Sequence, residues 1–258
     1  MRGNDIVQKI ALITGSAQGI GFEIAKKLSN SGMTVIISDK NEERLKEAIT
    51  ERPDLKYLLC DVSNEDQIKE TIDSVISQFG ALHVMINNAG FQHVSMIEEF
   101  DTEIFELMQK VMVVGPFIFM KYVLPIMKQQ NFGRIINIAS INGLVGFAGK
   151  AGYNTAKHGV IGLTKVAALE TAANGITVNA ICPGYVDTEL VRNQFQDLAK
   201  TRNIAVEDVL EQVLYPLVPQ KRLIDVSEIA ALVIYLCSDA AKGMTGQAVV
   251  LDGGYTVQ

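Results

Sequence analysis

Short apolar runs rich in Val and Ile alternate along the chain with longer segments whose apolar residues recur at helical spacing. A run at 9–14 precedes a helical period over 20–30, and a run at 34–38 precedes another over 42–50; the alternation continues to the C-terminus. Strands are expected at 10–14, 35–38, 57–60, 83–87, 134–140, 177–182 and 248–252. Their near-continuous apolar character suits strands buried on both faces. Strands and helices alternating in this way build a parallel sheet covered by helices on both sides. The expected fold class is therefore α/β, doubly wound around a single seven-stranded parallel sheet, with residues 1–258 forming one domain. Such sheets bind ligands in the crevice at the carboxyl ends of their strands. The segment 187–219 breaks the rhythm: it carries a helical patch at 206–214, ends in Tyr215-Pro216-Leu217-Val218-Pro219, and is expected to form a helical lid over the crevice.

With 258 residues, 48% of them hydrophobic and 20% charged, the chain has the composition of a globular protein with a large core. A net charge of −6 without a cluster of Lys and Arg argues against a nucleic-acid partner. The apolar stretches are interrupted before the roughly 20 residues a membrane span requires. The N-terminus has no basic region followed by an apolar run. No membrane partner and a cytoplasmic location are expected. Cys60, Cys182 and Cys237 sit among apolar neighbours and read as small buried hydrophobes. His83, His93 and His158 lack the paired spacing of metal ligands, so no metal is expected.

The first candidate chemistry lies directly after the first strand, in Thr14-Gly15-Ser16-Ala17-Gln18-Gly19-Ile20-Gly21. Gly15 permits a tight turn, Gly19 lets the backbone approach a pyrophosphate, and Gly21 lets the following helix pack on the strand. Gln18 and Ile20 belong to the same turn, and the helix start offers unpaired amides to an anion. This is a Rossmann-type dinucleotide turn. The second strand ends in Ile37-Ser38-Asp39, placing a carboxylate roughly 20 residues past the glycines, where it can accept hydrogen bonds from ribose hydroxyls. Asp39 would repel a 2′-phosphate, although Lys40 beside it partly offsets this, so the expected cofactor is NAD with NADP as the alternative.

Together with Asn87-Asn88-Ala89-Gly90, Ser140, Tyr153-x-x-x-Lys157 and Pro183-Gly184, these motifs make the chain resemble the short-chain dehydrogenase/reductase family over essentially its whole length. The resemblance implies that Asp61 and Val62 flank the adenine and that Asn88, Ala89 and Gly90 stabilise the fourth strand beside the cofactor. It also implies that Val186 and Thr188 contact the nicotinamide amide, next to Pro183 and Gly184.

Tyr153 and Lys157 lie four apart, so on a helix they share a face. Alone this is an ordinary helix pair; within these motifs it is a catalytic one. A phenol with a pKa near 10 is a poor base at neutral pH, and the Lys157 ammonium and a cationic nicotinamide are expected to favour its phenolate. Ser140 is expected to orient the substrate oxygen while Tyr153 exchanges the hydroxyl proton and Lys157 also holds the nicotinamide ribose. The family's usual fourth member, an Asn before Gly115-Pro116-Phe117, is Met112 here, so an amide partner for a proton relay is absent.

Within the family, the stretches Gly90-Phe91-Gln92-His93, 132–140 and 156–160 resemble the D-3-hydroxybutyrate dehydrogenases. That resemblance implies interconversion of 3-hydroxybutyrate and acetoacetate, with the substrate carboxylate held by Gln92, Lys150 and Gln194, the last on the lid. Ser140 and Tyr153 meet the reacting oxygen. Three positions depart from that group: Asn142 replaces a His, and Tyr185 and Tyr255 replace bulky Trp residues around the substrate methyl. The alternatives are another hydroxy or 3-oxo compound, with NADPH as a candidate cofactor, and a non-catalytic cofactor-binding protein. The helix expected over 103–130 is apolar on several faces, including Phe117, Phe119, Met120 and Tyr122. With the resemblance it implies a homotetramer.

Overall fold

The seven strands are β1 Ile10–Thr14, β2 Thr34–Asp39, β3 Lys56–Leu59, β4 Val84–Asn87, β5 Gly133–Ile138, β6 Ile176–Pro183 and β7 Ala248–Leu251. They come from a computed structural model that describes residues 8–189, 191–192, 199 and 204–257. All pair in parallel in one sheet of order β3-β2-β1-β4-β5-β6-β7. The chain reverses its direction of travel across the sheet between β1 and β4, and the crevice opens there.

Successive side chains of a strand point to opposite faces, and the core divides accordingly. Ala11 and Ile13, Val35 and Ile37, and Val84 and Ile86 pack under helices α1 (Gly19–Asn30), α2 (Glu42–Glu51) and α7 (Val226–Cys237). Ile10 and Leu12, Ile36, Met85 and Ile135 pack under α3 (Glu65–Phe79), α5 (Gly115–Gln130) and α6 (Ala151–Thr171) on the other side. Each fully buried Leu or Ile contributes on the order of 1.5–3 kcal/mol. The apolar runs of the central strands therefore reflect two cores, one per face. The edge strand β3 departs from this: Lys56 and Tyr57 are exposed because no neighbour lies beyond them.

Two elements differ from the sequence expectation. The helix expected over 103–130 runs Thr102–Gln130 but consists of α4 (Thr102–Gln109), a π turn (Lys110–Val114) and α5. The Gly115 amide donates to Lys110 O, and Pro116 has no N–H to offer the carbonyl of Met112, so the α-helical ladder is interrupted there. With a mean hydropathy of 1.6 over its most apolar stretch, this helix is long and apolar enough to span a membrane. It is instead laid on the sheet through buried Ile118, Phe119, Val123 and Met127. The helical patch expected at 206–214 is a 3₁₀ turn, Val206–Asp208, followed by a π turn, Leu210–Leu214, and then a 3₁₀ turn at Tyr215–Leu217 that contains Pro216. These turns close a small core of their own in which Val209 and Leu214 pack with Tyr185.

A buried polar chain fixes α6 on the sheet. Asn87 and Asn137 face each other on β4 and β5; Asn87 Nδ2 donates to Asn137 Oδ1 at 2.7 Å, and Asn137 Nδ2 donates to Thr164 Oγ1 of α6 at 2.8 Å. At the opposite end of the sheet, the Ile10 amide donates to His83 Nδ1 at 3.0 Å, a bond that only neutral histidine accepts. Burial, aided by nearby Lys9, holds the His83 pKa below its ordinary value. The stabilisation from neutral His83 is therefore complete above about pH 6.5, the unperturbed histidine pKa, and is lost as pH falls towards the lowered folded value. Urea midpoints measured between pH 7.5 and 5.5 are expected to fall across this window. His83→Asn, whose amide oxygen accepts the same bond and does not titrate, flattens that slope.

Candidate active site

The glycine turn joins β1 to α1. Helices α2, α3, α4 and α7 begin on side-chain caps from Asn41, Asn64, Asp101 and Asp225. Helix α1 begins on Gln18 with no side-chain cap, leaving its first amides for an anion in the crevice. Gly15 and Gly19 have φ of 58° and 60°, and a Cβ on Gly19 would meet nothing within 4 Å, so the backbone there faces open crevice. A Cβ on Gly21 would lie 2.6 Å from Asn88 Nδ2 and 2.8 Å from Gly15 O, so this glycine sets how closely α1 approaches the turn. Asn88 holds the turn from the end of β4: its Nδ2 donates to Gly15 O at 2.7 Å and to Thr14 O at 3.1 Å. An uncapped helix start, open glycine backbone and a braced turn together fit a pyrophosphate.

The crevice, of about 470 Å³, runs from Asp39 at the end of β2 to Lys150 at the start of α6. Asp39, Asp61 and Val62 line one end, and Gln18, Ile20, Ala89 and Gly90 the middle. Pro183, Gly184, Val186 and Thr188, at and just past the end of β6, also line the crevice. Lys40 and Arg44 stand beside Asp39 in the same wall; Arg44, one turn into α2, is absent from the sequence reading because nothing in a helix-surface Arg marks it.

The reactive end gathers Ser140, Tyr153 and Lys157. β5 stops at Ile138, so Ser140 lies beyond the strand and caps a 3₁₀ turn, Ile141–Gly143, by accepting from the Asn142 amide at 3.1 Å. Its hydroxyl is also hydrogen-bonded to the Tyr153 phenol. Lys157 Nζ donates to Ile138 O at 2.7 Å and lies 5.3 Å from the Tyr153 ring centre. Burial pushes the Tyr153 phenol up to about 12, the Ser140 bond opposing only in part, and pulls Lys157 down to about 8. In the protein alone, desolvation dominates, and Tyr153 stands as a protonated donor.

Part of that desolvation comes from Met112. It lies in the π turn, 2% exposed, in a cluster with Met108, Ala156 and Tyr153. A Cβ on Gly90 would come within 3.1 Å of its sulfur, so Met112 fills the space between Gly90 and the phenol with a thioether and no amide.

At the substrate end, Gln92, Asn142, Lys150 and Tyr185 line the crevice. The Asn142 amide donates to Asn154 Oδ1 at 3.4 Å, and burial pulls the Lys150 ammonium down to about 8. Tyr255 does not line the crevice; it packs edge-on behind Tyr185 with ring centres 6.0 Å apart. Gln194 lies outside the described residues. Phe147, missing from the sequence reading, stacks on Tyr255 at 5.6 Å and lies under Lys150. Gly21→Ala, whose Cβ would meet Gly15 O and Ser16 Cα at 2.8 Å, is expected to weaken NADH binding more than tenfold, measured by NADH fluorescence, and to lower the urea midpoint; unchanged affinity would contradict the close-approach role.

The family model described as enoyl-(acyl carrier protein) reductase matches residues 15–256. The chain is 59% identical to an uncharacterized oxidoreductase, YxjF, of Bacillus subtilis (strain 168), over 97% of this chain and 99% of that protein. It is 39% identical to a D-beta-hydroxybutyrate dehydrogenase of Rhizobium meliloti (strain 1021), over 97% and 99%. Among solved structures, an actinorhodin polyketide ketoreductase variant with NADPH superposes with a TM-score of 0.93 at 33% identity, over 96% of this chain and 97% of the other. The turn for a dinucleotide, the Ser140, Tyr153 and Lys157 cluster and these likenesses agree: the chain belongs to the short-chain dehydrogenase/reductase family of nicotinamide-dependent oxidoreductases.

Proposed function

We propose that this protein interconverts 3-hydroxybutyrate and acetoacetate with NAD. The observation that carries this reading is Lys150, whose ammonium stands in the crevice wall with burial as the only influence on its pKa, so no carboxylate among the described residues neutralises it. A partly buried cation without an acidic partner suits a substrate carboxylate. Gln92 and Asn142 in the same wall have amide donors of the same kind. A relative named for D-beta-hydroxybutyrate supports the choice of acid.

The bound nicotinamide supplies a carbon that accepts or returns hydride. Tyr153 exchanges the proton of the substrate hydroxyl, Ser140 orients that oxygen, and Lys157, held by Ile138 O, keeps a positive charge beside the phenol. Asp39 supports NAD by repelling a 2′-phosphate. Lys40 and Arg44 beside it support a second reading, reduction of a 3-oxo compound with NADPH; a relative of Staphylococcus epidermidis is named 3-oxoacyl-[acyl-carrier-protein] reductase.

The exposed side chains of Val114, Phe117, Val166 and Leu169 on the π turn, α5 and α6 suit burial against further copies of the chain in a homotetramer. Light scattering is expected to report four subunits, and Leu169→Glu, at a residue 85% exposed in the monomer, to shift the mass downwards.

The substrate assignment is tested by initial rates of NADH formation with D-3-hydroxybutyrate and its L enantiomer, and of NADH or NADPH oxidation with acetoacetate and an acetoacetyl thioester. The expected result is a D-selective reaction with NAD. Lys150→Met is expected to raise KM for the acid roughly ten- to hundredfold, from the loss of a charge-assisted bond of about 1.5–3 kcal/mol. Asp39→Asn is expected to cut the preference for NAD over NADP at least about tenfold. Preference for the thioester with NADPH would overturn the assignment in favour of the second reading.

A further inference from the structure

Lys150 reaches the substrate end of the crevice from an unusual support. Its amide donates to Phe147 O at 3.2 Å, and its carbonyl accepts from the Asn154 amide at 2.8 Å, so its backbone is fixed at the start of α6. Gly149 precedes it with φ 77°, and its carbonyl accepts from the Ser95 amide at 2.9 Å. The side chain then folds back over the loop it came from: Nζ stands 5.2 Å from the centre of the Phe147 ring.

That ring is held by the C-terminal turn. Phe147 stacks on Tyr255 with an interplanar angle of 28°, and Tyr255 packs edge-on against Tyr185. Tyr255 is in turn fixed by Asp252, which accepts from the Gly254 amide at 2.8 Å and from the Thr256 amide at 2.8 Å and hydroxyl at 2.7 Å. Gln220 at the exit of the lid segment donates through its amide to Gly253 O at 3.1 Å. The chain end, the lid exit and the loop before α6 thus converge on one aromatic stack, and the ammonium rests on its outermost ring.

We propose that Phe147 is the positioning residue for the carboxylate-binding lysine: its ring, anchored through Tyr255, holds the Lys150 ammonium at the substrate end of the crevice and so sets affinity and selectivity for free hydroxy acids. The proposal rests on the reading of Lys150 as the carboxylate anchor. A cation over an aromatic face is stabilised by the ring quadrupole without a hydrogen bond being used up. All three ammonium protons then remain for the substrate, whereas an acidic partner would compete with it. Neither Phe147 nor Tyr255 lines the crevice, so their action passes through Lys150 and Tyr185.

The test compares Phe147→Leu, which keeps apolar bulk but removes the ring face, with Phe147→Tyr, which keeps the face. In Phe147→Leu the KM for D-3-hydroxybutyrate is expected to rise about five- to tenfold, with kcat within about twofold of the unaltered protein, unchanged NADH affinity and an unchanged KM for the uncharged methyl ester. Phe147→Tyr restores the lower KM. Equilibrium binding of acetoacetate to the NAD-loaded protein, in which no hydride can move, reads the same contact without turnover and is expected to weaken by a similar factor in Phe147→Leu. Equal losses for acid and ester, a fall in kcat alone, or no rescue by Phe147→Tyr would overturn the proposal. If the unaltered protein binds acetoacetate but does not turn over hydroxybutyrate, the functional reading fails while the binding series still decides the role of Phe147. If acetoacetate does not bind the unaltered protein, both fail.

Discussion

The hold of α6 on the sheet is the constraint on which the chemistry depends. That helix carries both Tyr153 and Lys157, and its N-terminus begins at Lys150, so the proton donor, its cationic neighbour and the proposed carboxylate anchor move as one rigid body. Three contacts fix it. Asn137 bonds Thr164 through the core, Lys157 Nζ bonds Ile138 O at the end of β5, and the 3₁₀ turn capped by Ser140 packs against its inner face. A Cβ on Gly143 would lie 2.6 Å from Lys157 O, so that turn lies as close to α6 as a glycine allows. Catalytic geometry of this kind is set by rigid elements and their supports, and shifts of an ångström are costly.

The electrostatics follow from the same packing. Tyr153 stands between a sheet end and a wall of Met108, Met112 and Phe91, so its neutral form is favoured until charge arrives beside it. Lys157 lies in the same dry surroundings, which pull its pKa down to about 8 and leave it charged at neutral pH. Two groups pushed in opposite directions by one desolvated pocket make an acid whose strength responds to what enters the crevice. Met112 sharpens this by replacing a hydrogen-bonding amide with a polarisable apolar side chain.

Much of this was legible in the sequence. The central strands β1, β2, β4, β5 and β6 were readable because both faces are buried, which writes uninterrupted apolar runs; the glycine turn was readable because its spacing is dictated by one anion and one helix start. Ser140, Tyr153 and Lys157 meet in one crevice as their motifs implied. The rest depends on contacts between segments distant in the chain. The π turn at Lys110–Val114 follows from Pro116 removing a donor within an otherwise helical pattern, a signal that periodicity averages away. Arg44 beside Asp39 looks like any exposed helix residue. Phe147 lies in a loop without periodicity, and its partner Tyr255 is more than a hundred residues away. The raised pKa of the phenol in the protein alone was not legible either, because an i, i+4 spacing does not show burial.

The most direct test of the account is Tyr153→Phe, measured for NADH binding and for turnover of D-3-hydroxybutyrate on the same preparation. The ring and its contacts with Met112 remain, and only the proton-exchanging hydroxyl is lost. The account predicts NADH affinity within about twofold of the unaltered protein and a fall in kcat of roughly a hundredfold or more, the usual scale of general acid–base catalysis. Retention of most of the turnover would contradict the assignment of Tyr153 as the proton donor.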